Sequence, residues 1–418
     1  MNQKGKAAVR ISYQAFFGSL FFSRLADQIL LFLVPLVVFQ TTHQATWSGA
    51  AFFVEALPRY LVFPFAGVLS DRTSPVKLLR ASQRFRAIAC LAGVAGYLLV
   101  GGIAWLVALS AVCGVLTSVG FVAREVILPQ VFQQHRFEKV LSYSQLADQL
   151  GVVLGPVVAA ALLGWWNWQW TVAFAAILFL IADGATLLWQ RTGNIRLFPA
   201  QETAPAQWML PIRIALSHVA RLPGLKRLVM LAAAENLVIG VTLATSAAMV
   251  TGVHHEPGRF YAALQVSGAI ATVVILLVIA RTSIPRKMLG GMAFTAIFAG
   301  GLMAGISPSI WGYAAGFLLI VGFDKMFNVF IRSARQAIIP AHDYGKTVGV
   351  MVMLNNLTQP LAGLLVGLFS GHGRIGLVVT SISLAMGLLG AATAYAGMQA
   401  ARRNELTAPS LRAPRDSR

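Results

Sequence analysis

Long apolar stretches constrain this sequence more than any other feature. Twelve of them, each of twenty residues or more, lie at 15–40, 47–69, 82–101, 103–127, 142–164, 170–190, 227–250, 260–280, 287–306, 310–332, 347–370 and 375–399. About twenty apolar residues cross the hydrocarbon core of a bilayer as a helix. The strands of an outer-membrane barrel would instead alternate apolar and polar residues over about ten positions. Only 11% of the residues are charged, against about 25% in soluble proteins. We therefore expect an all-α membrane protein with 12 transmembrane helices.

Basic residues indicate how these helices are oriented. Of the 33 lysines and arginines, 28 fall at the N-terminus, in alternate loops or at the C-terminus. The opposite loops carry only Arg259 and Arg374, and three bases lie deep within spans, away from their ends: Arg24, Arg59 and Lys325. Cytoplasmic loops are rich in Lys and Arg, so both termini are predicted to be cytoplasmic. This distribution explains the net charge of +19 without a nucleic-acid partner.

The second half of the sequence repeats the first at an offset of about 210 residues. Arg72-Thr-Ser recurs as Arg281-Thr-Ser, and residues 123–129 (AREVILP) recur as 334–340 (ARQAIIP), while His43 matches His254. Because the matches fall in corresponding loops, we expect two pseudo-symmetric six-helix bundles in the same orientation. Transporters of this plan bind substrate between the halves near the bilayer midplane and alternate access by rocking.

These bundles are predicted at 1–190 and 227–401. Between them, residues 191–226 form a cytoplasmic loop with a basic amphipathic segment that is expected to lie along the inner surface. The tail, 402–418, is rich in arginine and proline and is predicted to be disordered.

The loop after the second span carries a motif with Gly67, Asp71, Arg72, Lys77 and Arg80. It resembles the loop motif of the major facilitator superfamily, a glycine, three residues, Asp-Arg and then basic residues. The chain departs from the family pattern at 74–76 (Ser-Pro-Val), where a second glycine and two basic residues are usual. The resemblance implies an inner gate stabilised by an inter-helix charge network, for which Arg80 and Arg84 are the expected partners of Asp71.

The fifth span contains Gly151, Gly155 and Pro156, followed after two valines by Ala159 and Ala160. This pattern is similar to the antiporter signature of the same superfamily, and it is equally typical of close helix packing. Together with residues 57–72 and 141–145, it most resembles the branch that contains macrolide efflux pumps and the enterobactin exporter. That branch implies outward movement of bulky amphipathic molecules, as in siderophore export or multidrug resistance.

Charged side chains inside the spans are candidates for function, because charge at bilayer depth is costly unless it is paired or hydrated. Arg24 and Asp27 are spaced to share one helix face, as are Glu55 and Arg59. Two further acids, Asp148 and Asp183, lie nearer the inner surface, where hydrated carboxylates are expected.

An acid that lacks a nearby base can load and release protons, and Glu235 fits this description best. Asp324 and Asp27 are the other proton-coupling candidates, because the resemblance places their helices around the central cavity. Asn236 adjoins Glu235, and Asn328, rather than Lys325, is expected to share the helix face of Asp324.

These features favour a proton-coupled antiporter of the cell inner membrane that acts as a monomer and exports a bulky amphipathic molecule. An importer of the same fold and a transport-inactive sensor or scaffold remain alternatives. An enzyme is not expected, and neither a cofactor nor a metal site is predicted. Both cysteines, Cys90 and Cys113, lie in apolar stretches, and there is no nucleotide-binding loop.

Overall fold

The computed structural model describes residues 3–42, 58–102, 104–193, 195, 197, 209–222, 224–369 and 375–407. Every regular element in these ranges is helical. The apolar stretches fold in this way because a helix pairs its backbone N–H and C=O groups internally, where lipid offers no partner.

The first half contains α1 (Gln3–Thr42), α2 (Phe63–Arg72), α3 (Pro75–Val100), α4 (Ala104–Val131), α5 (Phe137–Trp165) and α6 (Trp168–Thr192). A connecting helix, α7 (Met209–Arg221), precedes the second half. That half contains α8 (Leu225–Ala247), α9 (Gly258–Arg281), α10 (Arg286–Ile306), α11 (Ile310–Gln336), α12 (Tyr344–Asn356), α13 (Thr358–Phe369) and α14 (Ile375–Thr407). A π-helical turn, Ala248–Val253, extends α8.

Ten helices in the described ranges are long and apolar enough to cross a membrane. The predicted span 47–69 lies partly outside these ranges, and α2 forms its end. The predicted span 347–370 is divided into α12 and α13 at Leu357. Pro360 has no N–H to donate to the carbonyl of Asn356, four positions earlier, so it cannot make the hydrogen bond that a continuous helix would need there. The helical membrane fold is confirmed, whereas twelve spans and cytoplasmic termini stay predictions.

The helices pack in two groups. In the first, α1 contacts α5 and α6, and α3 contacts α4 and α6. In the second, α11 contacts α9 and α10, while α8 and α10 contact α14. The groups meet where α2 and α4 contact α12 and where α5 contacts α9 and α11. These contacts fit two bundles, although the predicted domain boundaries stay predictions.

Glycines bring α2 and α12 together at the predicted cytoplasmic end. A methyl group on Gly67 would lie 2.5 Å from the carbonyl oxygen of Gly345. One on Gly349 would overlap the carbonyl oxygen of Phe63. The two backbones are therefore in direct contact, and the halves are held closed at this end.

The connecting segment and the tail differ in part from expectation. The predicted amphipathic segment is helix α7, which packs against α8 and α12. His218 of α7 lies 3.4 Å (Nε2 to Oδ2) from Asp343 at the start of α12. Helix α14 continues to Thr407, so residues 402–407 of the predicted disordered tail are helical. Residues 408–418 lie outside the described ranges.

Candidate functional site

A cavity of about 490 Å³ lies between the two halves, at the level of the middle of the helices. Helices α1, α3, α4 and α5 line it from one side, and α8, α11 and α12 from the other. Its volume is typical of small-molecule sites, which span about 300–1,000 Å³. The charged lining residues are six bases, Arg24, Arg86, Arg124, Lys325, Arg332 and Arg335, and four acids, Asp27, Asp148, Glu235 and Asp324.

Asp27 is bound by a helix other than its own. Nη1 of Arg86 lies 2.9 Å from the Asp27 carboxylate, and the Thr117 hydroxyl donates to the same group at 2.8 Å. Arg86 also donates to Ser23 at 2.9 Å and lies over the ring of Phe179. Asp27 is therefore a member of a closed hydrogen-bond network between α1, α3 and α4.

Arg24 and Asp27, three positions apart on α1, form no salt bridge among the described residues, where Asp27 pairs with Arg86 instead. The Cβ and Cγ of Arg24 pack against Gly151 of α5. Its buried Nε has no hydrogen-bond partner among the described residues. Shared helix faces permit a pair but do not require it, and here α3 supplies a better-placed base.

Asp148 also departs from expectation. The sequence placed it near the inner surface as a hydrated carboxylate, but it lines the cavity and accepts a 2.7 Å hydrogen bond from Arg124 of α4. Its side chain is 19% exposed. The pairing explains how the charge is tolerated at this depth.

Glu125 joins the two halves and was not among the predicted site residues. Its carboxylate is 2% exposed and accepts hydrogen bonds from Arg332 and Arg335 of α11. The first of these, from Nε of Arg332, measures 3.1 Å. The repeat contained a signal for this cluster, because Arg124-Glu125 matches Arg335-Gln336. The acid is present in the first half only, so the matching residues of the two halves form one asymmetric cluster.

Four arginines counted as inner-loop charges are cavity residues instead: Arg86, Arg124, Arg332 and Arg335. All four are buried. Three of them, Arg86, Arg124 and Arg332, already lay inside predicted spans, and their positions in the spans were the signal that could have identified them. The sequence therefore underestimated the positive charge at the centre of the molecule.

Glu235 on α8 is the acid with the poorest hydrogen bonding in the cavity. It is 1% exposed, and its Oε1 has no hydrogen-bond partner among the described residues. Its carboxyl group faces that of Asp324 on α11. The neighbouring Asn236 donates to the carbonyl of Ala232 at 2.8 Å rather than to Glu235.

Asp324 has two partners on its own helix. Asn328 donates to it at 2.8 Å, as predicted, but Nζ of Lys325 also lies 2.6 Å from its Oδ2. Lys325 still points about 100° away from Asp324 on the helix, but its four-methylene side chain bends back across that angle to form the pair. One ammonium group thus stands beside two carboxyl groups.

The predicted gate residues Gly67 and Asp71 do contact the other half. Asp71 is 2% exposed and accepts the backbone N–H groups of Gly345 and Lys346, each at 2.9 Å. These donors are in the first turn of α12, where a negative charge is favoured by the helix dipole. Burial nevertheless raises the pKa of Asp71 to about 7, against the opposing effect of the two hydrogen bonds.

The expected partners of Asp71 bind elsewhere. Arg80 and Arg84 both donate to Asp183 of α6, at 2.8 and 2.9 Å. That cluster ties α3 to α6 within the first half, so neither arginine bridges the gate, and Asp183 is paired rather than only hydrated. Lys77 is exposed.

The glycines of the α5 motif are packing positions. A methyl group on Gly151 would lie 2.9 Å from Cβ of Arg24, and one on Gly155 would overlap Cβ of Gln28. Pro156 lies inside α5. The motif thus sets how closely α5 approaches α1, and through α1 it sets the width of the cavity.

One predicted pair is not described. Glu55 lies outside the described residues, so its pairing with Arg59 stays a prediction. The backbone carbonyl of Arg59 accepts a hydrogen bond from Ser118 at 2.8 Å.

Known proteins resemble the chain along most of its length. The profile of the Major Facilitator Superfamily matches residues 16–363. The MFS-type transporter y4rN of Sinorhizobium fredii is 22% identical over 356 residues, which cover 82% of this chain and 85% of that protein.

Solved structures share the same fold. The human organic anion transporter MFSD10 superposes with a TM-score of 0.69 at 15% identity, over 91% of this chain and 98% of that one. A bacterial homologue of the iron transporter ferroportin, in its outward-facing state, gives 0.67 at 16% identity over 91% and 98%. FucP in its outward conformation gives 0.68 at 12% identity over 90% and 96%. At these identities the likeness establishes the fold alone.

Proposed function

Because the chain belongs to the Major Facilitator Superfamily, and is therefore a multi-pass membrane transporter rather than an enzyme, we propose that it is a proton-coupled exporter. It carries a bulky amphipathic compound, such as a siderophore or a drug, out of the cytoplasm across the inner membrane. Transport proceeds by alternating access to the cavity between the halves. The macrolide-efflux and enterobactin-exporter branch remains the branch we assign.

The observation that carries this proposal is the position of Glu235. Its buried carboxyl group faces Asp324, and only Lys325 among the described bases contacts that pair. The buried carboxylate of Glu235 and the partly buried one of Asp324, beside one ammonium, leave an uncompensated negative charge, which is costly in an apolar interior. A proton that binds and leaves Glu235 relieves and restores this charge. Asp27, held by Arg86, is less suited to the same role.

The surplus of bases in the cavity supports an anionic group on the substrate. Arg24 leaves a buried Nε without a described partner, and Arg124 and Arg332 each line the cavity as well. Guanidinium groups bind carboxylates and phosphates through two parallel hydrogen bonds. A carboxylate, catecholate or phosphate on the substrate would bind the N–H donors that these guanidinium groups do not use in their ion pairs.

Exchange requires that the proton and the substrate exclude each other. Once Glu235 has lost its proton, its carboxylate can accept a hydrogen bond from a hydroxyl, amide or ammonium group of the substrate. A proton arriving from outside then displaces that group and releases the substrate. Antiport follows when the protein rarely carries the proton and the substrate at the same time.

An importer is the second candidate, and Lys325 is the observation that favours it. If the anionic group of the substrate bound Lys325, the proton on Glu235 would stabilise the bound anion, and both would load together. Proton and substrate would then travel in the same direction. The export and import mechanisms therefore predict opposite pH dependences of substrate affinity.

The pH dependence of substrate binding separates them. Purified protein is titrated with amphipathic anions, including catecholate siderophores and fluorescein derivatives, between pH 6 and pH 8.5. Antiport requires affinity to rise with pH, and Glu235→Gln must abolish the dependence while Glu256→Gln, the same change in a loop outside the cavity, preserves it. Affinity that falls with pH indicates symport, and a dependence unchanged in Glu235→Gln removes Glu235 from the mechanism.

A further inference from the structure

A second cavity, of about 830 Å³, lies where α1, α5 and the end of α9 meet. Aromatic rings form its wall. The ring centroids of Tyr13 and Phe132 are 5.2 Å apart, those of Phe17 and Phe132 are 5.8 Å apart, and those of Phe17 and Tyr143 are also 5.8 Å apart. Tyr143 is 44% exposed at the edge of the groove. The wall therefore offers an apolar surface that is open to the surroundings of the helix bundle.

One end of this groove is basic. His135, Arg136 and Lys139 line it at the predicted cytoplasmic end of α5. The nearby acid, Glu138, accepts a 2.7 Å hydrogen bond from Ser333 of α11 and does not line the groove. The two positive charges of Arg136 and Lys139 are thus not neutralised by an acid in the groove wall.

The groove is built from both halves of the molecule. Ala280 of α9 contributes to its wall, and Nη2 of Arg136 donates to the carbonyl of Ile284 at 2.7 Å. A guanidinium has five N–H donors, so this bond leaves donors for a ligand. Separation of α5 from α9 would dismantle the site.

We propose that this groove binds an anionic phospholipid of the cytoplasmic leaflet. Its phosphate is held by Arg136 and Lys139, and an acyl chain lies along the aromatic wall towards Phe21 and Leu150. Basic pockets between transmembrane helices on the cytoplasmic side are typical sites for anionic headgroups. Because the wall includes both halves, the bound lipid stabilises the arrangement that is closed at this end. The inference is independent of the transported substrate.

Lipid retention by the purified full-length protein tests the site. Native mass spectrometry is run with phosphatidylglycerol and with phosphatidylcholine of the same chains. We expect one tightly retained phosphatidylglycerol, and about thirtyfold weaker retention in Arg136→Gln/Lys139→Gln, since each base near the headgroup contributes about fivefold. The matched control is Arg191→Gln/Lys226→Gln, two exposed bases that do not line the groove.

Equal retention of both lipids, or equal loss in both double variants, would overturn the proposal. A second variant tests the chain rather than the headgroup: Tyr143→Ala should weaken retention of phosphatidylglycerol without changing the preference for it. Soluble glycerol phosphate, which has the charged group and no chains, should not displace the lipid. If it does, the site binds phosphate alone and the lipid assignment fails.

Discussion

Glu125 joins the two halves through a buried ion-pair cluster. Its buried carboxylate is the only described acid that accepts from both Arg332 and Arg335. Removing one partner of a buried ion pair leaves the other charge uncompensated, which costs about 3–5 kcal/mol. The residue therefore acts on stability and on the position of the gate together.

Glu125→Gln should lower the stability of the closed arrangement by about 3–5 kcal/mol. Thermal unfolding of the purified protein measures the loss, and labelling of Ser70→Cys, at a position that is 1% exposed here, measures opening. Glu125→Gln should unfold at a lower temperature and label faster at Ser70→Cys. Glu256→Gln should match the parental protein in both measurements. An unfolding temperature equal to that of Glu256→Gln would show that the cluster is not a stabilising contact.

Asp71 gives the gate a pH dependence. Burial raises its pKa to about 7 in the closed arrangement, whereas hydration on opening would return it to its ordinary value of 3.8. The closed form then binds more protons between these values, so lowering the pH stabilises closure, and raising it through 7 weakens closure. From pH 8 to pH 6 the closed-to-open ratio should rise about tenfold.

Labelling of Ser70→Cys at the two pH values, corrected for thiol reactivity with a free-thiol standard, measures this ratio. Asp71→Asn should remove the dependence, because its amide does not titrate. A tenfold change that persists in Asp71→Asn would assign the effect to another group.

At the scale of elements, glycine determines how α2 meets α12. Gly349 has no room for a methyl group beside the carbonyl of Phe63, whereas Gly291 of α10 has open space around it. Gly→Ala in a helix otherwise stabilises it by up to about 1 kcal/mol. The same substitution should therefore act in opposite directions at these two positions.

We expect Gly349→Ala to increase labelling of Ser70→Cys several-fold by separating α2 from α12. Gly291→Ala should leave labelling unchanged and raise the unfolding temperature slightly. Equal labelling of the two variants would mean that the helices tolerate the extra group by a shift, and that close backbone contact is not needed for closure.

The elements were the part of the structure most open to prediction. Apolar runs predicted the helices because each helix satisfies its backbone within one stretch of chain. The pairing of charges was not predictable in this way: Asp27 binds Arg86, and Asp183 binds Arg80, across separations of 59 and 103 residues. Helix periodicity relates residues three or four apart, so it led to Arg24 as the partner of Asp27. Only packing of the whole bundle selects α3.

At the scale of the whole molecule, the two halves form one charged cavity from unequal contributions. The first half supplies Asp71 and Glu125 to the closed end, and the second supplies backbone N–H groups and arginines. At the matching repeat positions the second half has Ala280 and Gln336. The duplication predicted the architecture, but the divergence between the copies determines which groups meet at the gate.

Proton movement during transport is the most direct test of coupling at Glu235. Proteoliposomes containing a trapped pH indicator are given an outwardly directed gradient of an amphipathic anion that the protein binds. We predict that protons move against the substrate, that Glu235→Gln abolishes this movement, and that Glu256→Gln does not. Substrate flux in the parental protein without proton movement, or proton movement of parental size in Glu235→Gln, would contradict proton coupling through Glu235.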